Sequence, residues 1–363
     1  MGVRMKTHIP SVSIYELHRK ERLRKNGILL ILSVLLVSSI LLSMSTGTVT
    51  VSLAEGGKIL LSKVLPSIQF EEIASLQQTV VWDMRLPRIM LALLTGLALA
   101  GAGSVMQGVL RNPLVSPFTL GLSGAAAFGA ALAIIAGAAA AGTGRYMIVL
   151  SAFIFGMVTV FLIYGISSLK GSGRETYLLS GVAISYLFSA GVSVMKYVSD
   201  HDSLREIVIW LMGGLWGASW PVIQILFPIV LIGGILLLRM APDLNSMAAG
   251  EDVATSLGIN LRRLRLSALL LSTFIAAATI AFTGVIGFIG LIAPHLSRML
   301  VGGDNRYLIP CSCLMGALIL VLADLVGRTI MAPTEIPVGI ITSFIGVPFF
   351  IFMLVRQRRQ WWG

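Results

Sequence analysis

Ten apolar runs of roughly span length, separated by short polar breaks, leave this chain few folds to choose from, because a helix needs about 20 mostly apolar residues to cross a hydrocarbon core. The runs fall at 27–46, 87–109, 117–140, 146–169, 177–198, 221–238, 264–284, 286–300, 308–330 and 336–355. Only 12% of the 363 residues are charged and 56% are hydrophobic, whereas ordinary soluble domains carry about 25% charge. The sequence therefore reads as an all-α polytopic membrane protein of about ten transmembrane helices. Residues 1–26 form a basic tail, 27–355 a single membrane domain, and 356–363 a second short tail.

Charge placement supports that map. Ten spans put both termini on one side. With the termini in the cytoplasm, nineteen of the 27 lysines and arginines lie inside and eight outside, as the positive-inside rule requires. The same placement accounts for the net charge of +11 without nucleic acid, since the bases punctuate apolar runs instead of gathering on one soluble face. The first run follows Arg19, Lys20, Arg22, Arg24 and Lys25 and is of full span length, so it reads as a retained helix. A signal peptide cleaved near Ala54 is the alternative. Residues 47–84 read as a polar connection.

The spans are rich in small residues, as in GLALAGAGSVMQG at 96–108 and GLSGAAAFGAALAIIAGAAAAG at 121–142. Small side chains let helix backbones approach closely where lipid supplies no hydrophobic drive to associate, so a compact bundle is expected. Proline and glycine interrupt it at NPLVSP (112–117) and GLIAPH (290–295), and broken helix at membrane depth is tolerated only inside protein or along a water-filled path. Residues 200–217, DHDSLREIVIWLMGGLWG, are too short to span and read as a surface helix, either a mouth to a path or an interfacial cap carrying Trp210 and Trp216.

Little in the chain suggests covalent chemistry. Cys311 and Cys313 are too few for a zinc site and badly spaced for a disulfide. His295 stands in an apolar run without a partner acid nearby in sequence and reads as structural, and His8, His18 and His201 are isolated. No cofactor or metal is implied. The only Gly-Lys pair, Gly57-Lys58, is followed by Ile59, so the chain has no GxxxxGK[ST] phosphate loop and cannot hydrolyse ATP through one.

The densest signal lies at 250–310. GEDVATSLGIN is short, polar and charged, wedged between two spans, and GFIGLIAPHLSRMLVGGDNR follows. Glu251 and Asp252 suit a first helical turn, Val253 and Leu257 share a face at i, i+4, and Gly258 offers a stop. With RLPRIMLALLTGLALAGAGSVMQGVLRNPLVSPFTLGLSGAAAFGA (85–130) and LADLVGRTIMAPTEIPVGIITSFIGVPFFIFML (322–354), these blocks resemble the iron-siderophore and cobalamin importer permease family of ABC transporters over about residues 80–355.

That resemblance implies a cobalamin-importer-permease-like bundle that pairs with a second permease, identical or related. Two separate ABC ATPases lie below it, an extracytoplasmic binding protein delivers cargo from above, and membrane lipid surrounds it. It implies that segment 244–262 couples to the ATPase through Gly250, Glu251, Asp252, Val253, Ala254, Leu257 and Gly258. It also implies that Arg85, Arg88 and Arg328 dock the binding protein, and that Gly171, Ser172, Gly173 and Arg174 are a candidate cytoplasmic gate. Asp324 stands four residues before Arg328 and could pair with it instead or as well. The cargo expected is a ferric siderophore, with cobalamin or haem as alternatives. Two rivals come from other classes. An ion-coupled secondary transporter would need intramembrane acids, of which only Asp324 qualifies. An intramembrane serine protease could use Ser123 in Gly121-Leu122-Ser123-Gly124, with His295 as base.

Overall fold

The structure, a computed structural model, describes residues 14–47, 49–65, 75–137, 144–170 and 174–356. Its elements are helical throughout these residues. In chain order they are α1 (Ile14–Ser45), α2 (Leu53–Val64), α3 (Ser75–Thr79), a π-helical turn (Val80–Arg85) leading directly into α4 (Leu86–Leu110), α5 (Leu122–Ile135), α6 (Gly144–Lys170) and α7 (Arg174–Val198). They continue as α8 (His201–Met212), α9 (Trp220–Arg239), α10 (Ala241–Ala249), α11 (Glu251–Ser256), α12 (Leu261–Thr283), α13 (Ile289–Val301), α14 (Asn305–Thr329) and α15 (Val338–Arg356).

Among the described residues, α4, α6, α7, α12 and α14 are long and apolar enough to cross a membrane, as are α1 and, together with α10, α9. The helices α5, α13 and α15 are apolar but shorter. Together they occupy all ten expected runs. The buried core is built around α4, which packs against α14, α12, α13 and α9. Small residues make this possible. A Cβ at Gly96 would lie 2.5 Å from the Gly316 carbonyl, and one at Gly316 would lie 2.4 Å from the Ala100 methyl, so α4 and α14 touch backbone to backbone. Across α5 and α6, Ser151 Oγ donates to the Gly129 carbonyl at 2.6 Å. Helices α1, α6, α7 and α9 form the less buried periphery, with large apolar side chains such as Leu30, Phe161, Tyr186 and Ile232 turned outward.

The chain breaks where NPLVSP predicts, since α4 stops at Arg111, which sits in the left-handed region, and a run of turns leads to α5. The second break differs. GLIAPH does not interrupt its helix, because Pro294 lies within a continuous α13. The interruption falls earlier, at 284–288, where Gly284 and Phe288 both have positive φ. Pro294 has no N–H to give the carbonyl four residues back. That carbonyl belongs to Gly290, and it is turned onto α4, where a Cβ at Gly103 would lie only 1.9 Å from its oxygen. The acceptor freed by proline therefore abuts a glycine Cα, a geometry suited to a weak Cα–H···O contact.

The described part of 47–84 is largely helical where the sequence suggests a plain connection. Helix α2 begins with a reciprocal capping box, in which Ser52 caps the Glu55 N–H and Glu55 accepts from the Ser52 N–H at 2.8 Å. The S-x-x-E spacing is its sequence signature. Segment 200–217 supplies the expected short helix, α8, capped by Asp200. It is tied to two spans: the Gly214 N–H donates to the Thr283 carbonyl at 2.8 Å, and the Gly213 carbonyl accepts from Gly339 N–H at 3.1 Å.

Candidate functional site

Two polar constellations stand at opposite ends of the bundle, joined by α14. The first is built on α10 and α11. Gly250, at φ 142° and ψ 148°, lets the chain turn sharply between these two short helices. The first turn of α11 carries Glu251 and Asp252, favourable at the positive end of a helix dipole. Its last turn closes as expected, with the Gly258 N–H on the Thr255 carbonyl and the Ile259 N–H on the Ala254 carbonyl. That is the paired bonding of a left-handed glycine stop, and Gly258 has φ +84°.

Packing divides α11 into two faces. Ala254 is fully buried against the bundle, while Val253 and Leu257 stand side by side in the open, 46% and 66% exposed. The segment is braced from behind. Glu251 accepts a salt bridge from Arg265 of α12 at 2.8 Å, and Asn245 of α10 donates to Asp304 at 2.7 Å while accepting from the Asn305 N–H at 2.8 Å. Asp304 is also the cap of α14. Segment 244–262 is thus a braced knob with an apolar pair at its tip, fixed to α12 and to the start of α14.

The second constellation gathers Arg85, Arg88 and Arg328. Asp324, 1% exposed, offers one carboxylate oxygen to Arg88 Nε at 2.8 Å and the other to Arg328 Nε at 3.0 Å. The local i, i+4 pairing of Asp324 with Arg328 is as expected, and Arg88 adds a partner that lies 236 residues away in sequence. Arg88 Nη1 also reaches Glu335 at 2.7 Å. Arg328 Nη2 donates to the hydroxyl of Ser43 at 2.6 Å and to its carbonyl at 3.2 Å. Arg85 is buried and donates to the carbonyls of Met44 and Val49. It fills the space that a Cβ at Gly47 would need, 2.5 Å from its Nη2.

All three guanidiniums are therefore held by partners within the chain, stitching the end of α1 to α4 and α14. They line a cleft of about 360 Å³ together with Asp83, Trp216 and Glu335. From Asn305 to Asp324 along α14 is roughly 28 Å at 1.5 Å per residue, so one helix carries both constellations. A third feature lies between α8, the broken stretch before α13 and α15. It is an apolar cavity of about 540 Å³, open on one side and lined by Phe118, Met212, Phe288, Phe344 and Val347.

The candidate gate lies outside the described residues at Gly171, Ser172 and Gly173, and for Arg174 only the backbone, which opens α7, is described. Ser123 and His295 lie on helices with different neighbours: α5 packs against α6, α7 and α8, and α13 against α4, α14 and α15. His295 is buried with its ring edge-on to Phe349 at 5.7 Å, the environment of a core histidine. No group of three or more metal-ligating side chains occurs among the described residues.

The profile of the FecCD transport family matches residues 34–356. The chain belongs to that family. Among FecCD relatives, MJ0087 of Methanocaldococcus jannaschii, which carries the name of an ABC transporter permease, is 43% identical over 77% of this chain and 83% of its own. The hemin transport system permease HmuU of Yersinia pestis is 40% identical over 77% of this chain and 84% of its own. A solved structure described as an inward-facing conformation of a metal-chelate type ABC transporter superposes with a TM-score of 0.79 at 36% identity, covering 91% of this chain and 99% of that one. Further FecCD relatives are named for import of Fe(3+)-citrate, cobalamin and molybdate. This FecCD chain is an ABC transporter permease and a multi-pass membrane protein.

Proposed function

We propose that this permease imports a ferric siderophore across a cytoplasmic membrane by alternating access, driven by ATP hydrolysed on a separate subunit. The observation that carries this reading is the knob at 244–262. Its tip, Val253 and Leu257, is apolar and open, and its base is locked to α12 and α14 by Glu251–Arg265 and Asn245–Asp304. An exposed apolar pair on a braced support is what a partner's cleft can grip, and a braced knob transmits displacement instead of absorbing it. In this reading the knob and both termini face the cytoplasm, two ATPases seat on a pair of permeases, and the arginine end faces outward.

The arginine end then receives the binding protein. An acidic side chain arriving there meets Arg88 and Arg328, arginines suited to bidentate carboxylate pairing. Asp324 is too deeply buried to leave, whereas Glu335 is 36% exposed in its side chain, so the incoming acid exchanges with Glu335. Arg85 supports the rim on which this takes place. The apolar cavity between α8 and α15 lies on the cargo's route, and its lack of charged lining fits a wall that lets a bulky complex pass without holding it. Relatives named for ferric citrate, hemin and cobalamin support cargo of the metal-complex class.

The reading is tested by uptake of labelled ferric siderophores, haem and cobalamin into a deletion strain carrying the wild-type chain or Leu257→Asp. Restored ferric siderophore uptake that Leu257→Asp abolishes supports it. Restoration only of haem or cobalamin uptake reassigns the cargo, and full uptake by Leu257→Asp removes the coupling role.

A further inference from the structure

We propose that α2 is an interfacial helix whose open apolar face is seated in lipid at the membrane boundary, beside the end of α1. At 12 residues it is about 18 Å long, well short of the roughly 30 Å of a hydrocarbon core. It therefore lies against the bundle instead of crossing.

Its residues sort into three faces. Gly56 and Ile59 dock inward, with Ile59 fully buried in a cluster with Met44 of α1, Val81 of the π-helical turn and Ile89 of α4. Glu55, Lys58 and Ser62 make a polar strip, where Glu55 accepts from Gln77 Nε2 at 3.3 Å. The third face carries Leu53, Leu61 and Leu65, which are 58%, 48% and 46% exposed. Gly57 lies between them with nothing within 4 Å of where its Cβ would stand. Steps of four and eight residues keep this open face on one side of a helix.

The neighbouring surface identifies the occupant. The docked face fixes α2 to the end of α1, whose Leu41 and Leu42 are 44% and 50% exposed on a span with only 28% of its apolar window buried in the bundle. That surface of α1 is a lipid-facing one, and α2 is docked at the end of the same helix through Ile59 on Met44. The polar strip lies on another side of the same helix, so the boundary between acyl chains and water runs along α2. A short amphipathic helix with leucine on one side and lysine at the polar edge is suited to that depth, and Lys63 in the last turn is exposed.

The test places bimane at Leu53→Cys, Leu61→Cys and Lys58→Cys, one variant at a time, in permease reconstituted into phosphatidylethanolamine and phosphatidylglycerol vesicles. The wild-type chain is the labelling blank, since Cys311 is buried and Cys313 partly buried inside the bundle. Brominated acyl chains should quench positions 53 and 61 at least roughly twofold more than position 58, and aqueous iodide should show the reverse order. Equal iodide quenching at all three positions would mean an open face in water and overturn the proposal. Shielding of 53 and 61 from both quenchers would mean that a second copy of the chain covers them, and would overturn it equally. Both leucines are exposed, and two independent positions guard against a variant that fails to fold.

Discussion

The two ends of α14 solve opposite problems. At the α11 end, Glu251 and Asn245 are engaged in bracing, and an apolar pair, Val253 and Leu257, projects beside the exposed Asp252. At the arginine end the rim mixes charged side chains with exposed apolar ones such as Met84 and Trp216, yet each guanidinium already has a partner, and the buried Asp324 holds two of them at once. An apolar tip can be gripped without breaking anything, whereas a satisfied charge cluster admits a partner only by exchange. In the proposed reading the first end suits a standing attachment and the second a reversible one.

Asp324 provides the largest expected effect on that contrast. Asp324→Ala strands Arg88 and Arg328 without their shared acid, and loss of one member of a buried ionic group destabilises by about 3–5 kcal/mol. Thermal unfolding in detergent should show it, and the double variant Asp324→Ala with Arg88→Ala should recover part of the loss. No drop in unfolding temperature would mean the cluster is solvated and the contrast false.

Next comes the helix contact between the ends. Gly103→Ala puts a methyl group on the Gly290 carbonyl, which backbone movement must relieve at about 1–3 kcal/mol. Gly57→Ala, in open space within a helix, should not lower the unfolding temperature and should stabilise by up to about 1 kcal/mol. At the coupling tip, Leu257→Asp should weaken ATPase copurification about tenfold or more, equivalent to about 1.4 kcal/mol, with unfolding unchanged within about 0.5 kcal/mol. Equal losses in binding and stability would show that the tip is structural. The smallest effect belongs to Glu335→Gln. A half-exposed ion pair contributes about 0.2–1 kcal/mol, so its removal should tighten binding-protein docking only two- to fivefold, while Arg88→Glu should weaken it. Weaker docking in Glu335→Gln would make Glu335 a docking residue itself.

What the sequence discloses follows the range of the interactions. The apolar runs, the short α8 and the first turn and stop of α11 were legible because hydropathy, Glu251, Asp252 and Gly258 act within a few residues. The pairing of Asp324 with Arg328 was legible for the same reason. The bridge from Arg88 to Asp324 and the tether from Arg328 to Ser43 span more than half the chain, and no local pattern announces them. Helix α2 carried a local signal in Ser52 and Glu55, but one capping box inside a polar stretch is faint beside long apolar runs. Pro294 misdirects because its helix continues through it, with the carbonyl it leaves without a helical donor turned onto α4 at Gly103.

The central claim is that this bundle moves only when a separate ATPase grips the tip of α11. The most direct measurement is uptake of a labelled ferric siderophore into proteoliposomes containing the permease, its binding protein and internal ATP, with and without the ATPase subunit and with Leu257→Asp in parallel. The account predicts accumulation only with the ATPase and the wild-type tip. Accumulation without the ATPase, or driven by an imposed ion gradient alone, would contradict it.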